Sequence, residues 1–102
     1  MDVFVTASDS DLSQASTTGY FVRIGGTDDE VSLYRKDNGS VTKIIDGING
    51  LLNSSSIDIR ISLMRDASNQ WKLTRNLNTS GSILEGATTD ATYLTASYFG
   101  IL

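Results

Sequence analysis

The feature that most constrains the fold is a strict alternation of apolar and polar side chains in residues 57–63, which read IDIRISL. The apolar members of this run are Ile57, Ile59, Ile61 and Leu63. Because successive side chains of a β-strand point to opposite faces, this pattern predicts a strand with one buried face and one exposed face. A helix would instead place apolar residues at a period of about 3.6.

The same alternation recurs along the chain, interrupted by residues that favour turns. Further strands are predicted over residues 3–7, 19–25, 31–36, 41–45, 71–74 and 98–102. The sequence Asp37, Asn38, Gly39 and the segment 66–69 have the composition of hairpin loops, and residues 25–29 form a third connection. The Thr-, Ser- and Gly-rich segment 79–96 is predicted as loop with one short strand.

Strands that follow one another this closely leave no room for crossover helices, so their pairing is expected to be antiparallel. The chain has 102 residues, 39% of them hydrophobic, which suffices for one core. We therefore predict an all-β fold, an antiparallel β-sandwich that occupies residues 1–102 as a single domain or a domain fragment.

Composition excludes several kinds of chemistry within this sequence. The chain has no Cys and no His, which excludes disulfides, thiolate catalysis, zinc–cysteine sites and a Ser-His-Asp triad. Its formal net charge of −4 would repel phosphate groups, so nucleic acid is not an expected partner. No apolar run approaches the roughly 20 residues of a membrane-spanning helix.

Four segments carry a resemblance to a known family. They read GYFVRIGGTDDEVSLYRKDNG at residues 19–39, IIDG at residues 44–47, IDIRISLMRDASNQWKL at residues 57–73 and SYFGIL at residues 97–102. These runs are similar to concanavalin A-like (lectin/glucanase, laminin-G-like) jelly-roll domains, above all those of secreted and surface proteins of Bacteroidetes. Complete domains of that family are longer, so the resemblance implies a partial sandwich with its export signal outside this sequence.

The resemblance implies a secreted or cell-surface location and a non-catalytic accessory or adhesion module, with carbohydrate as its ligand. The sheet edges of a partial sandwich need covering, so we also expect a homo-oligomer formed through those edges. Two alternatives remain open: a structural spacer or assembly domain without a small ligand, and a glycanase fragment. Related glucanases carry an E-x-D-x-x-E strand motif that is absent here, so no enzyme activity is expected.

Aromatic side chains are the candidate carbohydrate contacts, because an aromatic ring can stack on a sugar ring. The candidates are Tyr34, Trp71 and Tyr98. Tyr34 alternates with Val31 and Leu33 and is expected to be exposed. Trp71 shares its face with Leu73, which favours a core position for its ring over a ligand contact.

Two acidic segments are candidate calcium sites, because calcium takes carboxylate and carbonyl oxygens from flexible loops. Their residues are Asp9, Asp11, Asp28, Asp29 and Glu30. Solvated turns have the same composition, and neither segment matches the EF-hand loop pattern. No other cofactor is expected.

Overall fold

The computed structural model describes residues 1–78 and 80–102, and within them the chain forms β-strands and no helix. The strands are β1 (Asp2–Ala7), β2 (Gly19–Gly25), β3 (Glu30–Asp37), β4 (Ser40–Ile45), β5 (Ile59–Arg65), β6 (Gln70–Leu77), β7 (Ile83–Thr89) and β8 (Tyr98–Ile101). Every strand pair is antiparallel. The predicted fold class is confirmed.

The strands form two sheets of unequal width. The wide sheet has five strands in the order β4-β3-β2-β1-β8, and the narrow sheet has three in the order β5-β6-β7. Consecutive strands within each sheet are joined as a meander, and the chain crosses between sheets after β4 and again after β7. The sheets face each other with β4 against β7 and β3 against β6. Within the described residues, no helix is long and apolar enough to cross a membrane.

Strand β5 confirms the alternation on which the fold prediction depends. Ile59, Ile61 and Leu63 are half-buried, whereas Arg60 and Ser62 between them are exposed. The predicted start at Ile57 is two residues too early: β5 begins at Ile59, because the Asp58 N–H donates to the side-chain Oδ1 of Asn78 at 2.8 Å and not to a strand carbonyl.

The segment predicted as loop with one short strand contains β7, which spans seven residues. Thr79, the first residue of that segment, lies outside the described residues.

The predicted hairpin loops form, and each depends on one residue with a positive φ. Gly39 has φ 93° in the two-residue turn between β3 and β4. Asn69 has φ 61° in the turn between β5 and β6. That turn is stabilised by Asp66, whose Oδ1 accepts hydrogen bonds from the backbone N–H groups of Ser68 at 2.9 Å and Gln70 at 3.0 Å.

The main core lies between the two sheets and takes its residues from both. Its buried members are Tyr20, Val22, Val31, Leu33, Ile45, Trp71 and Leu73. A second cluster lies on the outer side of the wide sheet, where the loop after β1 folds back and places Leu12 against Phe4 and Phe21. The wide sheet is therefore covered on parts of both faces, which explains why β2 is buried along most of its length.

One lateral side of the sandwich, between β4 and β7, is closed by polar contacts. Arg75 on β6 forms a buried ion pair with Glu85 on β7, with Nε 2.7 Å from Oε1. The other oxygen, Oε2, accepts a hydrogen bond from the backbone N–H of Ile48 after β4, at 2.9 Å. Gly47 lies so close to β3 that a Cβ there would be 2.0 Å from the backbone oxygen of Val31.

Truncating the core is expected to be costly in proportion to burial. Leu73 is fully buried, so Leu73→Ala should lower the free energy of unfolding by about 2–5 kcal/mol. Leu84 is 55% exposed, so Leu84→Ala should cost less than about 1 kcal/mol. Urea denaturation of both variants measures the difference. Equal losses at the two positions would contradict the assignment of Leu73 to the core.

Candidate functional site

The wide sheet extends beyond the narrow sheet on the side opposite the closed one. Because β7 faces β4 and β6 faces β3, the third strand of the narrow sheet, β5, faces β2 and β1. Strand β8 lies beyond β1, at the end of the wide sheet. We call this side the open edge and define it by Val3, Val5, Ile61, Leu63, Phe99 and Ile101.

Strand β8 points two large apolar side chains toward the uncovered inner side. Val3 pairs with both Val22 and Ile101, so Ile101 points to the same side as the core residue Val22. Phe99 is two residues away and shares that side. Phe99 is 68% exposed and Ile101 is 62% exposed. These are side chains that a two-layer sandwich would normally bury.

The outer side of β8 is occupied by the chain itself. Gly100 lies against Leu12, and a Cβ at this glycine would be 2.7 Å from Leu12 Cδ1. Strand β8 is also paired with β1, and the backbone N–H and C=O groups of Leu102 exchange hydrogen bonds with Asp2 at 2.8 and 2.9 Å. Its position is therefore fixed by β1 and Leu12, while its inner side faces solvent.

An apolar cleft of about 250 Å³ opens between the sheets at the open edge. Its lining consists of aliphatic side chains from both sheets: Val3, Val5, Val22, Ile24, Ile61 and Leu63. No charged side chain occurs in residues 91–102, although the chain carries a net charge of −4. The open edge combines exposed apolar area with the free backbone edges of β5 and β8.

A second, polar pocket lies at the turn between β2 and β3 on the outer side of the wide sheet. It has a volume of about 250 Å³ and is lined by Arg23, Gly25, Gly26, Thr27, Asp28, Glu30 and Tyr34. It unites three residues predicted as site residues, namely Asp28, Glu30 and Tyr34. Arg23 is held in the pocket by a bidentate pair with Asp2, at 2.8 and 3.0 Å, and this hydrogen bonding raises the pKa of the Arg23 guanidinium.

Glu30 is already engaged within the fold. Its Oε1 accepts a hydrogen bond from Ser32 Oγ at 2.8 Å and pairs with the Lys43 ammonium group, which raises the pKa of Lys43. Its Oε2 is shielded from solvent and has no hydrogen-bond partner among the described residues. Glu30 therefore lines the pocket, but its Oε1 is already bound to Ser32 and Lys43 within the fold.

The three candidate aromatic residues do not converge on one surface. Trp71 is 3% exposed and donates from Nε1 to the backbone oxygen of Asp90 at 3.0 Å, so its ring belongs to the core. Tyr98 is 47% exposed and lies opposite Ala7 on the outer side of the wide sheet. Tyr34 lies on that same side but three strand spacings away, roughly 14 Å.

The ring of Tyr34 is only half-buried, but its faces are taken by neighbouring side chains. Phe21 stacks on it with the ring centroids 5.1 Å apart and an interplanar angle of 6°. Arg23 and Lys43 lie over the ring at 4.9 and 5.8 Å from its centroid. Stacking of a sugar on Tyr34 therefore requires these cations to move.

The acidic segments cap their own turns. Asp9 Oδ1 accepts from the backbone N–H of Asp11 at 3.0 Å, and Asp11 Oδ1 accepts from the N–H and hydroxyl of Ser13. Asp28 and Asp29 contribute backbone oxygens to the loop that follows β4. Within the described part of the chain, no three acidic residues are grouped as a metal site. The calcium sites at these residues stay a prediction.

Asp90 is a polar centre that the sequence analysis did not identify. Tyr20 donates from its hydroxyl to Asp90 Oδ1 at 2.6 Å, Arg35 donates to Oδ2 at 2.5 Å, and Thr92 donates its backbone N–H at 3.0 Å. Because Tyr20 and Arg35 belong to the wide sheet and Trp71 to the narrow one, Asp90 joins the two layers. The only local signal is an Asp two residues before Thr92, which is common in turns.

Electrostatics at Asp90 follow from these contacts. Burial alone would raise its pKa, but the hydrogen bonds from Tyr20, Thr92 and Arg35 outweigh burial and lower the pKa to about 2. Next to it, the hydrogen bond to Asp37 raises the pKa of Tyr93 to about 12. The cluster is arranged to hold Asp90 ionised inside the protein.

Asp90→Asn should lower the free energy of unfolding at pH 6 by about 2 kcal/mol, because the hydrogen bonds from Tyr20 and Arg35 then reach a neutral group and Arg35 keeps only Asp37 as a charged partner. The folded-state pKa lies below the ordinary aspartate value of about 3.9, so the stabilisation is present above about pH 4 and is lost as the pH falls toward 2. Urea denaturation of both proteins at pH 6 and pH 2 tests this. A difference between them that is as large at pH 2 as at pH 6 would refute the ionised Asp90.

Comparisons of the chain with family models, with curated proteins and with solved structures find no match. The resemblance to concanavalin A-like domains stays a prediction from the sequence.

Proposed function

We propose that this chain is a non-catalytic interaction and assembly module that holds a protein partner at its open edge. The observation that carries the proposal is the exposure of Phe99 and Ile101, at 68% and 62%, beside the free strand edge of β5. Contiguous exposed apolar area marks interaction surfaces, and a free strand edge offers unpaired N–H and C=O groups to an added strand.

The two features support each other energetically. Burying a side chain the size of Phe99 or Ile101 contributes about 1.5–3 kcal/mol. Backbone hydrogen bonds along β5 would add register and direction rather than much net free energy, since they replace bonds to water. A partner that presents an apolar strand would fill the cleft with its side chains and hydrogen-bond to the free edge of β5 with its backbone.

The proposal has two further parts: the chain is not an enzyme, and it is exported. The absence of Cys and His in the sequence supports a binding role, because it removes the commonest nucleophile–base pairs. A secreted or cell-surface location rests on the resemblance of residues 19–39 and 57–73 to surface modules. The sequence analysis left an assembly domain open beside a carbohydrate-binding module, and the geometry of the open edge favours the assembly domain.

The double variant Phe99→Lys/Ile101→Lys tests the open edge, with Leu84→Lys as a matched control on the exposed part of β7. The dilute wild-type protein should bind the dye ANS, which reports accessible apolar surface. The double variant should lose most of this binding because both anchors become charged, while the control should keep it. Circular dichroism and thermal melts check that all three proteins are folded.

Two results would contradict the proposal. A folded wild-type protein that neither binds the dye nor associates with anything at high concentration would show that the open edge is inert. Dye binding that survives in the double variant would place the accessible apolar surface elsewhere.

A second candidate function, carbohydrate binding, is favoured by the polar pocket between β2 and β3. Arg23 and Asp28 offer a donor and an acceptor in a space of about 250 Å³, and the backbone of Gly25 and Gly26 is open beside them. Such a mixture suits the hydroxyl groups of a monosaccharide unit.

The pocket is tested by titrating oligosaccharides into labelled protein and following amide shifts by NMR. Asp28→Ala should abolish shifts at Gly25 and Gly26, while Asp11→Ala, a change in a distant acidic loop, should leave them intact. Saturating sugar that moves no amide near this pocket would remove carbohydrate binding at Arg23 and Asp28 from consideration.

A further inference from the structure

We infer that the partner at the open edge is a second copy of this chain, related by a twofold axis parallel to the strands. This inference rests on the proposed function and names its partner. In the resulting dimer, the uncovered part of each wide sheet lies face to face with the uncovered part of the other, and β8 of each copy pairs edge to edge with β5 of the other.

The widths of the layers fit this arrangement. Each wide sheet exceeds its narrow sheet by two strands, five against three, and β8 at its edge leaves Phe99 and Ile101 exposed on the inner side. The twofold axis places the two extra strands of one copy over the two extra strands of the other, so that each pair of strands covers the other pair. The product is two continuous eight-stranded sheets, each with five strands from one copy and three from the other.

The side chains that would meet are compatible. On the inner side, Phe99 and Ile101 of each copy would contact Val3 and Val5 of the other and continue the row of Ile61 and Leu63. All these residues are apolar, and in one chain they are at most half-buried. The dimer would close the cleft of about 250 Å³ in both copies and continue one core through the twofold axis.

Charge also favours a second copy at this place. A twofold axis brings identical residues together, so any charged group near it meets its own like charge. The chain carries a net charge of −4, but residues 91–102 have no charged side chain, and the inner side of β1 presents Val3 and Val5. The six side chains that define the open edge are all uncharged, so two copies of an acidic protein can meet there without bringing like-charged side chains into contact.

Backbone pairing would remove the exposed strand edges on this side. Strands β5 and β8 are the free edges of their sheets there, and each would gain a partner from the other copy. Because the contact is isologous, it closes on itself and yields a dimer rather than a fibre.

Sedimentation velocity over a wide range of protein concentration tests the second copy. The wild-type chain should shift from monomer to dimer, Phe99→Lys/Ile101→Lys should remain a monomer at all concentrations, and Leu84→Lys should dimerise as the wild type does. A dimer that persists in the double variant, or is lost equally in the control, would overturn the inference.

The outcomes separate the inference from the proposed function. A strictly monomeric wild type that binds ANS in a Phe99-dependent manner leaves the interaction surface standing but excludes the second copy as its occupant. A monomer that binds no dye removes both.

Cross-linking tests the twofold arrangement itself, which the absence of cysteine in the wild type makes simple. Ser62 on β5 and Tyr98 on β8 are exposed on the outer sides of their strands and would become neighbours between copies. Ser62→Cys/Tyr98→Cys should give a covalent dimer with a short bis-maleimide, whereas Ser62→Cys/Thr42→Cys, with its second cysteine on the far strand β4, should not. A sedimenting dimer that the first variant fails to cross-link would overturn this geometry.

Discussion

The unequal width of the two layers is the constraint on which the rest of the structure depends. Five strands cannot be covered by three, so the inner side of β8 has no strand above it within the described chain. The loop after β1 covers the other side of β8 through Leu12, and the chain thereby fixes the strand while leaving Phe99 and Ile101 exposed. Their exposure follows from the topology and needs no disorder or opening motion.

The remaining contacts close the side of the sandwich formed by β4 and β7. Asp90 ties Tyr20 and Arg35 of the wide sheet to Trp71 of the narrow sheet. The buried pair of Arg75 and Glu85 joins β6 to β7, and Glu85 also binds the chain after β4. Because these polar ties close the β4 and β7 side and anchor the layers, the apolar edge of β5 and β8 can remain exposed while the layers stay packed.

The alternation in the sequence predicted the strands, but it could not predict the open edge or the cluster at Asp90, for physical reasons. Alternation in residues 59–63 reports which side of a strand is apolar, so the faces of β5 and the burial of Trp71 beside Leu73 followed from it. It does not report which layer covers that side, so Phe99 and Ile101 could not be distinguished from core residues. Asp90 was missed because its partners, Tyr20 and Arg35, are distant in sequence and meet only in the fold.

Amide hydrogen exchange at two protein concentrations tests the central claim most directly, because it reports the two free edges of the open side separately from those of the closed side. At high concentration, the amides of β5 and β8 should become protected, while those of β4 and β7 keep the exchange rates they have in dilute solution. Protection that rises at β4 or β7 instead, or exchange at β5 and β8 that does not change with concentration, would contradict a dimer built at the open edge.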